Sequence, residues 1–156
     1  MASNSTTREL GSFFDDLVRC ETRLYNALND RLRSKHGIVA TQFEFLRYLD
    51  GHPSSRVADV AANFAAGIGA ISKGVDRLET RGWVARQPNP ADGRSSLVSL
   101  TSTGAALLAE AEVSFQELLV ELLLVDLTPT QVQEVGAALG MLRAALERVH
   151  VGIPVG

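Results

Sequence analysis

Ile71-Ser-Lys-Gly-Val-Asp-Arg-Leu-Glu-Thr-Arg-Gly-Trp-Val-Ala-Arg-Gln87 changes its period at Gly82. Before that glycine, Ile71, Val75 and Leu78 recur at helical spacing on one apolar face, which leaves Ser72, Lys73, Asp76, Arg77 and Thr80 on the others. After it, residues 83–87 are β-prone, and a second β-prone run, residues 96–100, follows across Pro88-Asn-Pro-Ala-Asp-Gly93, a segment dense in turn formers. The stretch predicts a helix that ends at Gly82 and a β-hairpin with a long, exposed tip.

The pattern extends outward in both directions. Upstream, Ser54 or Ser55 can cap a short helix whose inner face is Val57, Val60, Ala61 and Phe64 and which breaks at Ala66-Gly67. Two short helices joined by a tight glycine-containing turn outline a helix-turn-helix. Before them, Thr41 with Glu44 reads as a capping box opening a helix that stops at Asp50-Gly51-His52-Pro53. Earlier still, Leu10, Phe13, Leu17, Leu24, Leu28 and Leu32 mark one long amphipathic helix, which Gly37 ends with Arg33, Lys35 and His36 in its last turn. Downstream, Thr101 or Thr103 opens a fifth helix, and Thr128-Pro129 with Gln131 opens a sixth that runs to about residue 149. The fold class is mainly α with a small β-hairpin wing. It is read as a single domain over residues 1–156: a winged helix-turn-helix at about 41–101, framed by dimerisation helices at about 8–36 and 102–149.

The dimer follows from an apolar surplus. Leu118-Leu-Val-Glu-Leu-Leu-Leu-Val125 is apolar on nearly every face, although a helix covering one side of a small domain needs only a stripe. A second copy supplies the missing cover. The residues that carry it are Leu10 and Phe13 in the first helix, Leu119, Leu122 and Leu123 in the fifth, and Leu139, Leu142 and Leu146 in the sixth.

Charge sharpens this picture. The chain has 156 residues, 15 basic and 18 acidic, for a net charge of −3, which taken alone argues against a polyanion partner. Along the chain, however, three basic side chains face five acidic ones in residues 1–30, ten face six in 31–100, and two face seven in 101–156. The helix-turn-helix and hairpin therefore form a cationic island between acidic flanks. Lys73 and Arg77, beside the small residues Gly67, Gly69 and Ala70, suit a helix pressed into a major groove. Arg94, next to Asp92 on a narrow projection, suits a minor groove.

Other classes are disfavoured. His36, His52 and His150 are far apart with no partners at metal-ligand spacing, and no serine elbow is present, so neither a catalytic nor a metal site is expected, and no cofactor. The lone Cys20 excludes an intrachain disulfide. The run 118–125 is too short to span a bilayer, and the polar start, residues 1–8, lacks a secretory pattern, so a cytoplasmic protein without a membrane partner is expected.

The stretch Ser72-Lys-Gly-Val-Asp-Arg-Leu-Glu-Thr-Arg-Gly-Trp-Val84, with Arg86-Gln-Pro-Asn-Pro-Ala-Asp-Gly-Arg94 and Ser95-Ser-Leu-Val-Ser-Leu-Thr-Ser-Thr-Gly104, closely resembles the MarR family of bacterial transcription regulators. The resemblance implies a homodimer with one winged helix-turn-helix per subunit on a double-stranded, pseudo-palindromic operator, acting as a repressor and released by a small aromatic or anionic effector. It implies recognition-helix contacts at Gly69, Ala70, Ser72, Lys73 and Arg77, and phosphate contacts at Ser55 and Arg56. In the wing it implies Arg94 oriented by Asp92, with Ser95 and Ser96 near the backbone and Arg86 counted among the DNA-binding residues. One departure is Gly74, where relatives more often carry a bulkier apolar residue; by propensity it weakens the helix by roughly 1 kcal/mol against alanine. Two other readings stay open: a redox-sensing regulator acting through Cys20, for which a buried or half-buried structural cysteine is the preferred reading, and a winged-helix module for protein contacts only.

Overall fold

The computed structural model describes residues 3–154. Its elements in chain order are α1 (Asn4–His36), α2 (Ala40–Gly51), β1 (Ser55–Arg56), α3 (Val57–Asn63), α4 (Ile68–Thr80), β2 (Val84–Pro88), β3 (Ser96–Leu100), α5 (Ser102–Leu123) and α6 (Pro129–Arg148). The expected class, mainly helical with a small antiparallel wing, is the one found.

The turn at Gly82 has the geometry its sequence demands. Gly82 sits at φ 78°, and its N–H donates to the Glu79 carbonyl at 2.9 Å while Trp83 N–H donates to the Leu78 carbonyl at 3.0 Å. These two bonds satisfy the last carbonyls of α4 and aim the chain into β2. Gly37 ends α1 in the same left-handed region, at φ 66°, with its N–H on the Arg33 carbonyl. Thr128 and Gln131 form the expected reciprocal cap of α6, at 2.9 and 3.2 Å.

Three local expectations are corrected. Thr41 does not cap α2: the helix begins at Ala40, whose N–H donates to Asn29 Oδ1 at 3.0 Å, and Gln42 Oε1 accepts from Val39 N–H at 3.0 Å. Neither Ser54 nor Ser55 caps α3, because Asp59 Oδ2 accepts the Arg56 N–H at 3.1 Å instead. Ser55 belongs to β1, which pairs with β3 at Ser55↔Val98 and Arg56↔Leu97, so the hairpin is part of a three-stranded sheet ordered β1-β3-β2. A two-residue strand has no periodicity to show in sequence; only its partner reveals it.

The core gathers Leu32 from α1, Phe43, Leu46 and Leu49 from α2, Val60, Val75 and Leu78 from the helix-turn-helix, and Val84 and Val98 from the sheet, all with at most 2% of their surface exposed. At the α1–α5 contact, Arg31 pairs with Glu121 at 2.6 Å and Lys35 with Glu117 at 3.3 Å, while the buried Ser114 hydroxyl meets His36 Nε2 at 2.8 Å. The hydrogen bond from Arg31 holds the Glu121 carboxyl below its usual range. In contrast, no residue of α6 is buried, and Leu10 and Phe13 stand 61% and 52% exposed near the start of α1.

Gly74 proves to be a packing requirement rather than a defect. A Cβ built there would lie 2.7 Å from Phe45 Cε2, and Phe45 is buried and packed on Phe64 with ring centroids 5.3 Å apart. Gly74→Ala gains helix propensity of about 1 kcal/mol but must displace that ring, an overpacking cost of about 1–3 kcal/mol. We expect a net loss of about 1 kcal/mol in urea denaturation; a more stable variant would refute this packing role.

Candidate nucleic-acid interface

The candidate surface is assembled from three pieces: the start of α3, the exposed side of α4 and the wing. Arg56, Ser72, Arg86, Asp92, Arg94, Ser95 and Ser96 line one cleft of about 420 Å³. Lys73 and Arg77 lie exposed on α4, and Gly69 and Ala70 are exposed in its first turn. Among the described residues, neither Lys73, Arg77 nor Arg94 has an ion-pair partner, so their charge is free for an external anion.

Arg56 is free only in part. Its guanidinium grips Asp59 at 2.7 and 3.1 Å, and this hydrogen bonding holds the Asp59 carboxyl below its usual range. Since the folded-state value is depressed, the pair's contribution is full above the ordinary carboxylate range and is lost as pH falls below that range through the depressed value. Asp59 thus fixes both the backbone of Arg56 and the direction of its side chain. Sequence reasoning passed over this residue, although an acidic side chain three positions after a helix start is a capping signal.

The wing tip is built on Asp92, though not in the expected way. Its Oδ1 accepts the backbone N–H of Arg94 at 3.0 Å, and no bond joins its carboxylate to the guanidinium. Asp92 therefore orients Arg94 through the main chain, by shaping the turn. The Ser95 hydroxyl donates to the Asp92 carbonyl and accepts from Asn89 Nδ2 at 3.0 Å, so it closes the tip from within. Ser96 begins β3, half-buried at the cleft floor.

Two candidate DNA contacts do other work. Ser55 is buried and its hydroxyl donates to the His52 carbonyl, which leaves nothing for a phosphate. Arg86 is a strut: its Nη1 lies 2.7 Å from Asp76 Oδ1 and 3.1 Å from Glu79 Oε1, and its own N–H donates to Glu79 Oε2 at 3.1 Å. With 22% of its side chain exposed, it ties the wing to α4. Charge type alone cannot separate a strut from a contact, because Asp76 and Glu79 come within reach only when the chain reverses at Gly82. Arg81, also unremarked in sequence, lies over the Trp83 ring at 5.0 Å.

Cys20 is exposed on α1, not buried as preferred from sequence. No cluster that could hold a metal ion is found among the described residues, and no described helix is long and apolar enough to cross a membrane.

A helix-turn-helix whose second helix exposes Lys73 and Arg77, followed by a projecting, arginine-tipped wing, defines the winged-helix class of nucleic-acid-binding folds. Comparison narrows the class. The sequence description of the MarR family matches residues 38–96. The multiple antibiotic resistance protein MarR of Salmonella typhimurium is 30% identical over 106 residues, which is 64% of this chain and 74% of that protein. A crystal structure of a cysteine-to-serine mutant of Escherichia coli MarR complexed with operator DNA aligns with a TM-score of 0.77 at 28% identity, over 86% of this chain and 95% of that one. A MarR family regulator from Streptomyces coelicolor, in complex with DNA, shares the fold at a TM-score of 0.82 and 23% identity, over 94% and 93% of the two chains. This chain belongs to the MarR family of transcriptional regulators, a family of regulators and not of enzymes.

Proposed function

We propose that the protein binds a pseudo-palindromic DNA operator as a homodimer, acts as a repressor, and is released by a small aromatic or anionic effector. The observation that carries the reading is the set of unpaired cations, Lys73, Arg77 and Arg94, exposed on α4 and the wing in a chain whose net charge is −3. Arg56, Gly69, Ala70, Ser72 and Ser96 complete the DNA-facing set. Ser55, Arg86, Asp92 and Ser95 shape that surface from inside.

The homodimer is supported by the uncovered frame. Leu10 and Phe13 of α1, Leu122 of α5, and Leu139 and Leu146 of α6 are each at least 38% exposed in the single chain, with Leu119, Leu123 and Leu142 half-covered beside them. Large apolar side chains left uncovered in this number mark an interface. An effector is supported by a cleft of about 390 Å³ between the frame and the winged lobe, walled by Tyr25, Phe45 and Phe64 and bordered by Arg77. An aromatic anion there would draw on the same guanidinium that α4 offers to DNA.

Selection of bound duplexes from random DNA tests the reading. We expect an inverted repeat whose half-sites lie about one helical turn, 10–10.5 base pairs, apart or a multiple of it, retained by a species of dimer mass in light scattering. Failure to enrich any sequence, or enrichment of an unrepeated site bound by a monomer, would contradict it.

A further inference from the structure

The first turn of α4 carries an arrangement that folding does not explain. Ile68 is its first residue, 60% exposed, and stands between Gly67 and Gly69 with Ala70 beyond. A Cβ built on either glycine meets nothing within 4 Å, whereas one at Gly74 or Gly104 would strike Phe45 or the Trp83 backbone. Gly74 and Gly104 are therefore required by packing, and Gly67 and Gly69 are not. Glycine within a helix is disfavoured relative to alanine, so Gly69 weakens α4 with no return inside the chain. The space it leaves lies outside, on the side of α4 that carries Lys73 and Arg77.

Ile68 is thus the only side chain larger than a methyl group from residue 67 to residue 70, and it lines the same cleft as Arg56 and Arg94. The first side chain on α4 able to hydrogen-bond a base edge is Ser72, a full turn later. The N-terminal end of a recognition helix is the part that approaches base edges in the major groove. Of the groups displayed there by the four standard bases, the one that an aliphatic side chain recognises is the C5-methyl of thymine.

We propose that Ile68 is a specificity-determining residue that reads a thymine methyl in each half-site, with Gly67 and Gly69 clearing the approach. The inference rests on α4 being the recognition helix of a DNA-binding dimer. Because Ile68 is exposed and supports no core contact, Ile68→Ala removes the apolar group without disturbing the fold.

The test uses the full-length protein and the duplex recovered by selection with the wild type. Each thymine of a half-site is replaced in turn, in both half-sites, by deoxyuridine, which lacks only the methyl group. At one thymine position, the wild type is expected to lose about three- to tenfold in affinity, the scale of a lost apolar contact per half-site. Ile68→Ala is expected to lose a similar factor on the unmodified duplex and to bind thymine and uracil equally at that position. Wild-type affinity that is indifferent to uracil at every position overturns the proposal, as does a methyl sensitivity that persists in Ile68→Ala. In both of those cases weakened binding by Lys73→Ala and Arg77→Ala would leave the recognition-helix assignment standing. A wild type that enriches no duplex overturns both.

Discussion

Gly104→Ala is expected to destabilise the protein by about 2–4 kcal/mol, the tightest added methyl among the described glycines. A Cβ at this position would lie 2.0 Å from the Trp83 carbonyl oxygen and 2.8 Å from its carbon, and both are backbone atoms that no rotamer change can move. The same carbonyl accepts the Thr101 N–H at 3.0 Å, while the Thr101 hydroxyl donates to the Gly82 carbonyl at 2.6 Å and accepts the Gly104 N–H at 3.0 Å. Thr101 and Gly104 thus staple the start of α5 to the base of the wing, and the added methyl forces the two apart. A helix-propensity gain of about 1 kcal/mol offsets only part of this. Urea denaturation should show a lower midpoint at an unchanged slope. Stability equal to the wild type would mean that α5 and the wing are not held this closely.

Arg94→Ala is expected to weaken operator binding by about 1–3 kcal/mol, roughly 5- to 150-fold, with the proposed dimer and the melting temperature unchanged. The side chain is exposed and unpaired among the described residues, and its neighbours Asp92, Ser95 and Asn89 hydrogen-bond to one another and to the backbone rather than to the guanidinium. Removing it therefore subtracts a cation from the projecting end of the wing and little else. An arginine on such a projection gains in a narrow minor groove, where the potential is most negative. Fluorescence anisotropy with the selected duplex measures the change, and equal affinity would contradict the wing assignment.

Much of this architecture was legible in the sequence because local chemistry marks it. The period change at Gly82, the reciprocal Thr128–Gln131 cap and the αL stop at Gly37 each involve residues within a few positions of one another. What was not legible depends on distant contacts. Gly74 reads as a weak point until Phe45, from a different helix, is seen packed against it. Arg86 reads as a spare cation until β2 is folded back over Asp76 and Glu79. Ser55 reads as a helix cap and, by resemblance, a phosphate contact until β1 pairs with β3 and buries it. Cys20 reads as a buried or half-buried structural cysteine, whereas it stands exposed on α1 in the single chain. The cations that face outward, Lys73, Arg77 and Arg94, are legible by charge and position because they make few internal contacts to hide them.

The most direct test is the slope of log affinity against log salt for the wild type on its selected duplex. In the proposed homodimer, two copies each presenting Arg56, Lys73, Arg77 and Arg94 predict a linear slope steeper than about −4. A slope shallower than about −1 would show that the cationic face does not meet phosphates and would contradict the account.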